Sequence, residues 1–88
     1  MISPVCCIRD QLTGYMSPFV VVNENVAERD FKILINDPNN AMSYNPQHFD
    51  LYHLADFDSE LGTISPIEPT IIVTGLSVVQ GGKKHVQK

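Results

Sequence analysis

The stretch Asn25-Val26-Ala27-Glu28-Arg29-Asp30-Phe31-Lys32-Ile33-Leu34-Ile35-Asn36-Asp37-Pro38 reads as a helix with a marked beginning and end. Asn25 has N-cap chemistry, a side-chain oxygen that accepts a first-turn N–H, and Glu28 three residues later completes a capping box. Val26, Ala27, Phe31, Leu34 and Ile35 recur at helical spacing and form one apolar face. Glu28 and Lys32 make an i, i+4 pair in the favourable order on the other face. Pro38 stops the helix, because the residue before a proline is sterically kept out of helical geometry. The helix is predicted over about Val26 to Asn36, with Phe31 and Leu34 as the residues that pack it onto a partner layer.

Outward from this helix the pattern is that of strands. On the N-terminal side, Val5-Cys6-Cys7-Ile8 is a short apolar strand ended by Arg9-Asp10. Gln11 to Ser17, with Gly14, reads as a loop. Phe19-Val20-Val21-Val22 is continuous and β-branched, the composition of a strand covered on both faces. On the C-terminal side, Asp37-Pro38-Asn39-Asn40 is turn chemistry and Asn45-Pro46 a second break. From Phe49 the chain alternates, with Phe49, Leu51, His53, Ala55 and Phe57 on one face and Asp50, Tyr52, Leu54 and Asp56 on the other. Asp58 to Gly62 makes a hairpin-type loop in which Gly62 can take positive φ. Ile64 begins the return strand, Pro66 and Pro69 make it an edge or bulged stretch, Thr70 to Thr74 resumes it, and Leu76 to Val79 continues it after Gly75. The order β-β-α-β-β predicts a small two-layer α+β domain, one helix packed on a mainly antiparallel sheet.

With 88 residues there is room for one core, and the domain is placed at residues 1–79, followed by a flexible basic tail at 80–88. A hydrophobic share of 43% excludes a disordered chain. No apolar run approaches the ~18 residues of a membrane span, and Met1-Ile2-Ser3-Pro4 lacks the basic and apolar regions of a signal peptide. Membrane contact is therefore not expected. Cys6 and Cys7 are adjacent, point to opposite faces of a strand and read as reduced core or edge residues. A small domain without staples often gains stability from a second copy, so a homodimer is expected.

The formal net charge is −4, but it is unevenly spread. Residues 1–79 hold Arg9, Arg29 and Lys32 against all ten acidic residues, a balance of −7, while Lys83, Lys84 and Lys88 follow Gly81-Gly82. Such a body is unlike the basic face of a strong duplex binder. Asp56 to Gly62 resembles the start of a calcium loop, but the glycine falls at loop position 7 and Ile67 stands where the bidentate glutamate belongs. His48 and His53 lie an odd number of residues apart and face opposite ways on a strand, so no metal site is assigned. Nucleophile elbows, phosphate loops and zinc-protease motifs are missing, and neither an enzyme nor a cofactor is expected. Of the aromatics, Phe19, Phe31 and Phe49 read as core. Tyr15, Tyr44 and Tyr52 read as exposed, and exposed aromatics on a sheet can stack the bases of a single strand.

Ser17-Pro18-Phe19, Asn23, Val26-Ala27-x-Arg29-Asp30-Phe31, Asn36-Asp37-Pro38, Asn45-Pro46-x-x-Phe49-x-Leu51-Tyr52-x-Leu54-x-x-Phe57-Asp58 and Gly62 follow one another in this order. In order and spacing they resemble the small non-structural protein of gokushovirus-type microviruses, phages with circular single-stranded DNA genomes. Ala55 stands where that pattern has glycine. The resemblance spans roughly residues 4–75. It implies a DNA-binding protein that acts during phage single-stranded DNA synthesis or packaging, in the host cytoplasm, and is absent from the mature virion.

The resulting expectation is single-stranded DNA binding by Arg9, Tyr15, Tyr52, Lys83, Lys84 and Lys88, the tyrosines stacking bases and the cations meeting phosphates. The alternative is a protein–protein regulator whose acidic surface engages a phage or host replication or assembly protein, such as a replication initiator or capsid precursor. Charge placement separates the two. A patch of Arg9, Arg29 and Lys32 beside exposed tyrosines favours DNA, whereas an acidic surface with one apolar patch favours a protein partner.

Overall fold

The computed structural model describes residues 1 to 80. Five strands and one helix follow the order β1 (Ile2–Asp10), β2 (Gly14–Tyr15), β3 (Phe19–Val20), α1 (Glu24–Asn36), β4 (Phe49–Asp58) and β5 (Thr63–Thr74). This is the expected α+β domain. β1 is central. β2 and β3 pair with the same edge of β1, β4 pairs with its other edge, and β5 flanks β4, all antiparallel. The helix carries the chain from β3 on one side of β1 to β4 on the other.

Several sequence expectations need correction. The segment 11–17 is not all loop, since Gly14–Tyr15 pairs with Arg9 and Asp10. Phe19 to Val22 is not a doubly covered strand. Only Phe19 and Val20 pair, and Phe19, Val20 and Val22 are exposed. Pro18 is the reason: it has no N–H for the ladder and splits one edge strand into β2 and β3. The break leaves the Met16 carbonyl facing the sheet, where the Cys7 thiol donates to it at 2.9 Å. Leu76 to Val79 does not extend β5 but turns as a short 3-10 helix over Leu76–Val78.

The helix begins two residues earlier than its capping box suggested. Asn23, with extended φ of −160°, is the N-cap, and its side-chain oxygen accepts from the Val26 N–H at 2.9 Å. Glu24 thereby enters the first turn, where a carboxylate suits the helix dipole, and reaches the His53 ring. The apolar face is as read: Ala27, Phe31 and Ile35 are buried, and Leu34 packs against the same cluster, which includes Cys6, Ile8, Leu51, Met42 and Val78. At the other end the Asn36 amide donates to the carbonyls of Lys32 (2.8 Å) and Val78 (2.9 Å) and accepts from the Gln80 N–H (2.7 Å). One side chain thus ties the helix end to the segment that follows β5.

The alternation along β4 breaks once. Val5 pairs with Ala55 and Cys6 with His53, so Leu54 is an extra residue. A bulge of one residue exchanges the faces beyond it. Asp56, rather than Ala55, therefore lies beside His53, with Nε2 2.9 Å from Asp56 Oδ1, while Nδ1 is 2.9 Å from Glu24 Oε2. Ala55 and Phe57 turn to the face away from the helix. The expected hairpin loop is present: Gly62 has φ +71°, and Asp58 Oδ1 accepts from the N–H groups of Glu60 and Leu61. β5 is an edge strand with two irregularities in its register, as its prolines implied.

Candidate nucleic-acid interface

The helix covers one face of the sheet, and the other face has no second layer among the described residues. Register places Arg9 and Tyr15 side by side on that face, with Cys7 opposite Tyr52 and Tyr52 opposite Ile71. Tyr15 and Tyr52 meet edge to face, ring centroids 5.4 Å apart at 80°. The Arg9 guanidinium lies 5.6 Å from the centre of the Tyr15 ring. Both contacts use the ring quadrupole, whose positive edge and negative face favour these approaches. Three residues proposed from the sequence therefore form one cluster. Tyr15 is 47% exposed, and Tyr52 is half-buried.

The floor beneath is apolar. Cys7 is fully buried, and Val5 and Ala55 are nearly so. Val20, Ile71 and Ile64 leave large side chains exposed around it, and Phe57, half-buried, pairs with Ile64 across β4 and β5. Sequence reasoning missed Ala55 and Phe57 as members of this face, because only the Leu54 bulge puts them there. Asp50 contributes little open charge, since it is buried and accepts from Gln11 Nε2 at 3.0 Å. The thiols are held protonated. Burial, then the Glu24 carboxylate and Cys7, push Cys6 up to about 11, and burial raises Cys7 against the opposing effect of its bond to the Met16 backbone. Neither has the lowered pKa of a reactive nucleophile.

The remaining candidates lie elsewhere. Arg29 and Lys32 stand on the outward side of α1, across the sheet from the tyrosines, so the cations do not gather into one patch beside Tyr15 and Tyr52. Tyr44 is exposed on the connector after the helix, its hydroxyl donating to the Pro38 carbonyl at 2.9 Å. Phe19 belongs to the exposed edge instead of the core, because Pro18 keeps its neighbours from building a paired strand there. Lys83, Lys84 and Lys88, and the tail assigned to 80–88 beyond Gln80, lie outside the described residues. No described helix is long and apolar enough to cross a membrane.

The family model described as Phage ORF5 protein matches residues 3–78. No curated protein and no solved structure matches the chain.

Proposed function

The chain belongs to the Phage ORF5 protein family, and on that footing we propose that it is a non-structural phage protein, of the gokushovirus type, that binds single-stranded DNA during viral DNA synthesis or packaging in the host cytoplasm. The Arg9–Tyr15–Tyr52 cluster on the open sheet face carries this reading. A sheet face with accessible ring surface accepts bases of any sequence, because every base offers a π-face, and each stacked base contributes ~1–3 kcal/mol. Arg9 holds its ring neighbour from one side and offers its remaining donors to a phosphate. The cluster contains no general base or activated nucleophile, so the role proposed is binding.

The test is fluorescence anisotropy of a labelled oligothymidylate at low and moderate salt. Saturable binding that weakens with salt is expected, with Tyr15→Ala and Tyr52→Ala each weakening it by roughly tenfold. Wild-type affinity in both variants would remove the cluster from the reading. One observation favours a second reading, a regulator that engages a replication or assembly protein: Arg29 and Lys32 are separated from the aromatic face, whose floor is apolar. Absence of binding at low salt, together with saturable binding to a purified replication initiator or capsid precursor of the same phage, would decide for it.

A further inference from the structure

Cross-strand register arranges the open sheet face in rows. At one end Arg9 and Asp50 are opposite neighbours. Beyond them, the rows that run from Cys7, from Val5 and from Ser3 across β4 to β5 contain no charged residue. Val20, Ile71 and Ile64 stand in these rows and are exposed by 52%, 46% and 63%. Apolar side chains gathered in this way mark a contact surface, because leaving them in water forfeits ~25 cal/mol for each Å².

Charge and area say what covers it. Glu24, Glu28 and Asp30 belong to α1, and Asp56 is on the helix side beside His53. Residues 1–79 carry three cations against ten acids, so two copies that met through the helix side would bring like charges together. Across the three uncharged rows they meet without a carboxylate. The sheet edges are poor alternatives. Pro18 splits one edge strand into β2 and β3, while β5, at the other edge, holds Pro66 and Pro69 and shifts register twice. From Ser3 to Arg9 the face runs ~20 Å along the strands, and four strands make it ~19 Å wide, or ~400 Å² in plan. Two copies, with the relief of the standing side chains added, reach the ~1,000 Å² at which a specific contact begins.

We propose that a second copy of this chain covers this face, the two sheets packing face to face around Val20, Ile64 and Ile71. The dimer stands on the charge and area of the face. Its consequence for DNA rests on the single-stranded DNA reading: Tyr52 lies in the covered rows, so a second copy and a stacked base exclude one another. The dimer is then the form in which the stacking face is closed.

The experiment is sedimentation equilibrium of the full chain from about 1 to about 500 micromolar, with Ile64→Glu compared against Ile33→Glu. The two isoleucines are similarly exposed, at 63% and 60%, but Ile33 is on the helix, so the variants match in charge and differ in face. A far-ultraviolet circular dichroism spectrum equal to that of the wild type is the folding control. The mass of the wild-type protein should rise from that of one chain toward that of two. Ile64→Glu should move this transition at least tenfold higher in concentration, since it faces carboxylate with carboxylate, and Ile33→Glu should leave it in place. A single-chain mass at every concentration, an undisturbed dimer in Ile64→Glu, or an equal shift in Ile33→Glu would overturn the assignment. A labelled oligothymidylate 8-mer in excess should dissociate the wild-type dimer. Oligonucleotide bound to an intact dimer would overturn the exclusion, whereas absence of DNA binding by a chain that still dimerises would overturn the single-strand reading alone.

Discussion

At Gly75 the backbone angles, φ −61° and ψ −40°, are open to any residue, so conformation does not explain the glycine. Space does. A Cβ there would collide with the carbonyl oxygens of Pro46 and Phe49, and the Gly75 N–H donates to the Phe49 oxygen at 2.7 Å. Both obstacles are backbone and cannot rotate away. Gly75→Ala should therefore cost ~1–3 kcal/mol, as overpacking does, measured by urea denaturation. Cys6 makes a second residue-scale case. Its thiol is raised from 9.0 to about 11 in the fold, chiefly by burial. The folded state holds the proton more tightly than the unfolded chain, so this contribution is fully present below about pH 9 and is lost as pH rises toward 11. The denaturation midpoint should fall across that window, and Cys6→Ala should flatten the fall.

Asn23 and Asn25 are alike in chemistry, and the choice between them is made at the scale of the element. With Asn23 as cap, Glu24 lies in the first turn and meets His53, which the Leu54 bulge has placed between Glu24 and Asp56. A helix starting at Val26 would leave that imidazole without its helical partner. Asn23→Ala should cost ~1 kcal/mol, whereas Asn25→Ala, with no capping bond to lose, should stay within ~0.5 kcal/mol. Thermal melts of the two variants check the assignment. β5 shows a different element-scale device. It is a 12-residue edge strand, long enough to recruit another chain, and Pro66 and Pro69 each take one backbone donor out of it.

The whole molecule measures 51 × 25 × 19 Å, because the β4–β5 hairpin and the start of β1 run on beyond the area that the helix covers. The core is confined to the covered end, around Phe31, Ile35 and Leu51. Every described residue of that core lies before position 81, and a chain lacking residues 81–88 should melt at the wild-type temperature. It should also bind DNA more weakly and with a smaller salt slope, since the molecule then carries three cations against ten acids. Unaltered binding after the deletion would show that those lysines play no part in it. The same scale explains why Arg29 and Lys32 stand apart from the tyrosines. One helix on one face of a sheet leaves two surfaces, and the aromatic cluster and the Arg29–Lys32 pair occupy one each.

Local signals in the sequence determined the helix and its apolar face, the hairpin at Asp58 to Gly62, the edge character imposed by Pro66 and Pro69, the order of elements and the exposed state of Tyr15. Each depends on neighbours within a few residues: side-chain spacing, the missing proline N–H, or glycine's tolerance of positive φ. The cluster of Arg9, Tyr15 and Tyr52 was legible as residue types but not as a contact, since Tyr52 reaches Tyr15 only through the pairing of β4 and β2 with β1. Only the tertiary structure decided the start of α1, the switch of Ala55 and Phe57 to the open face, the stitch made by Asn36 and the placement of Arg29 and Lys32 across the sheet from the tyrosines. These depend on which strands become neighbours and on a single extra residue in their register, and chain segments far apart in sequence settle both when they pack.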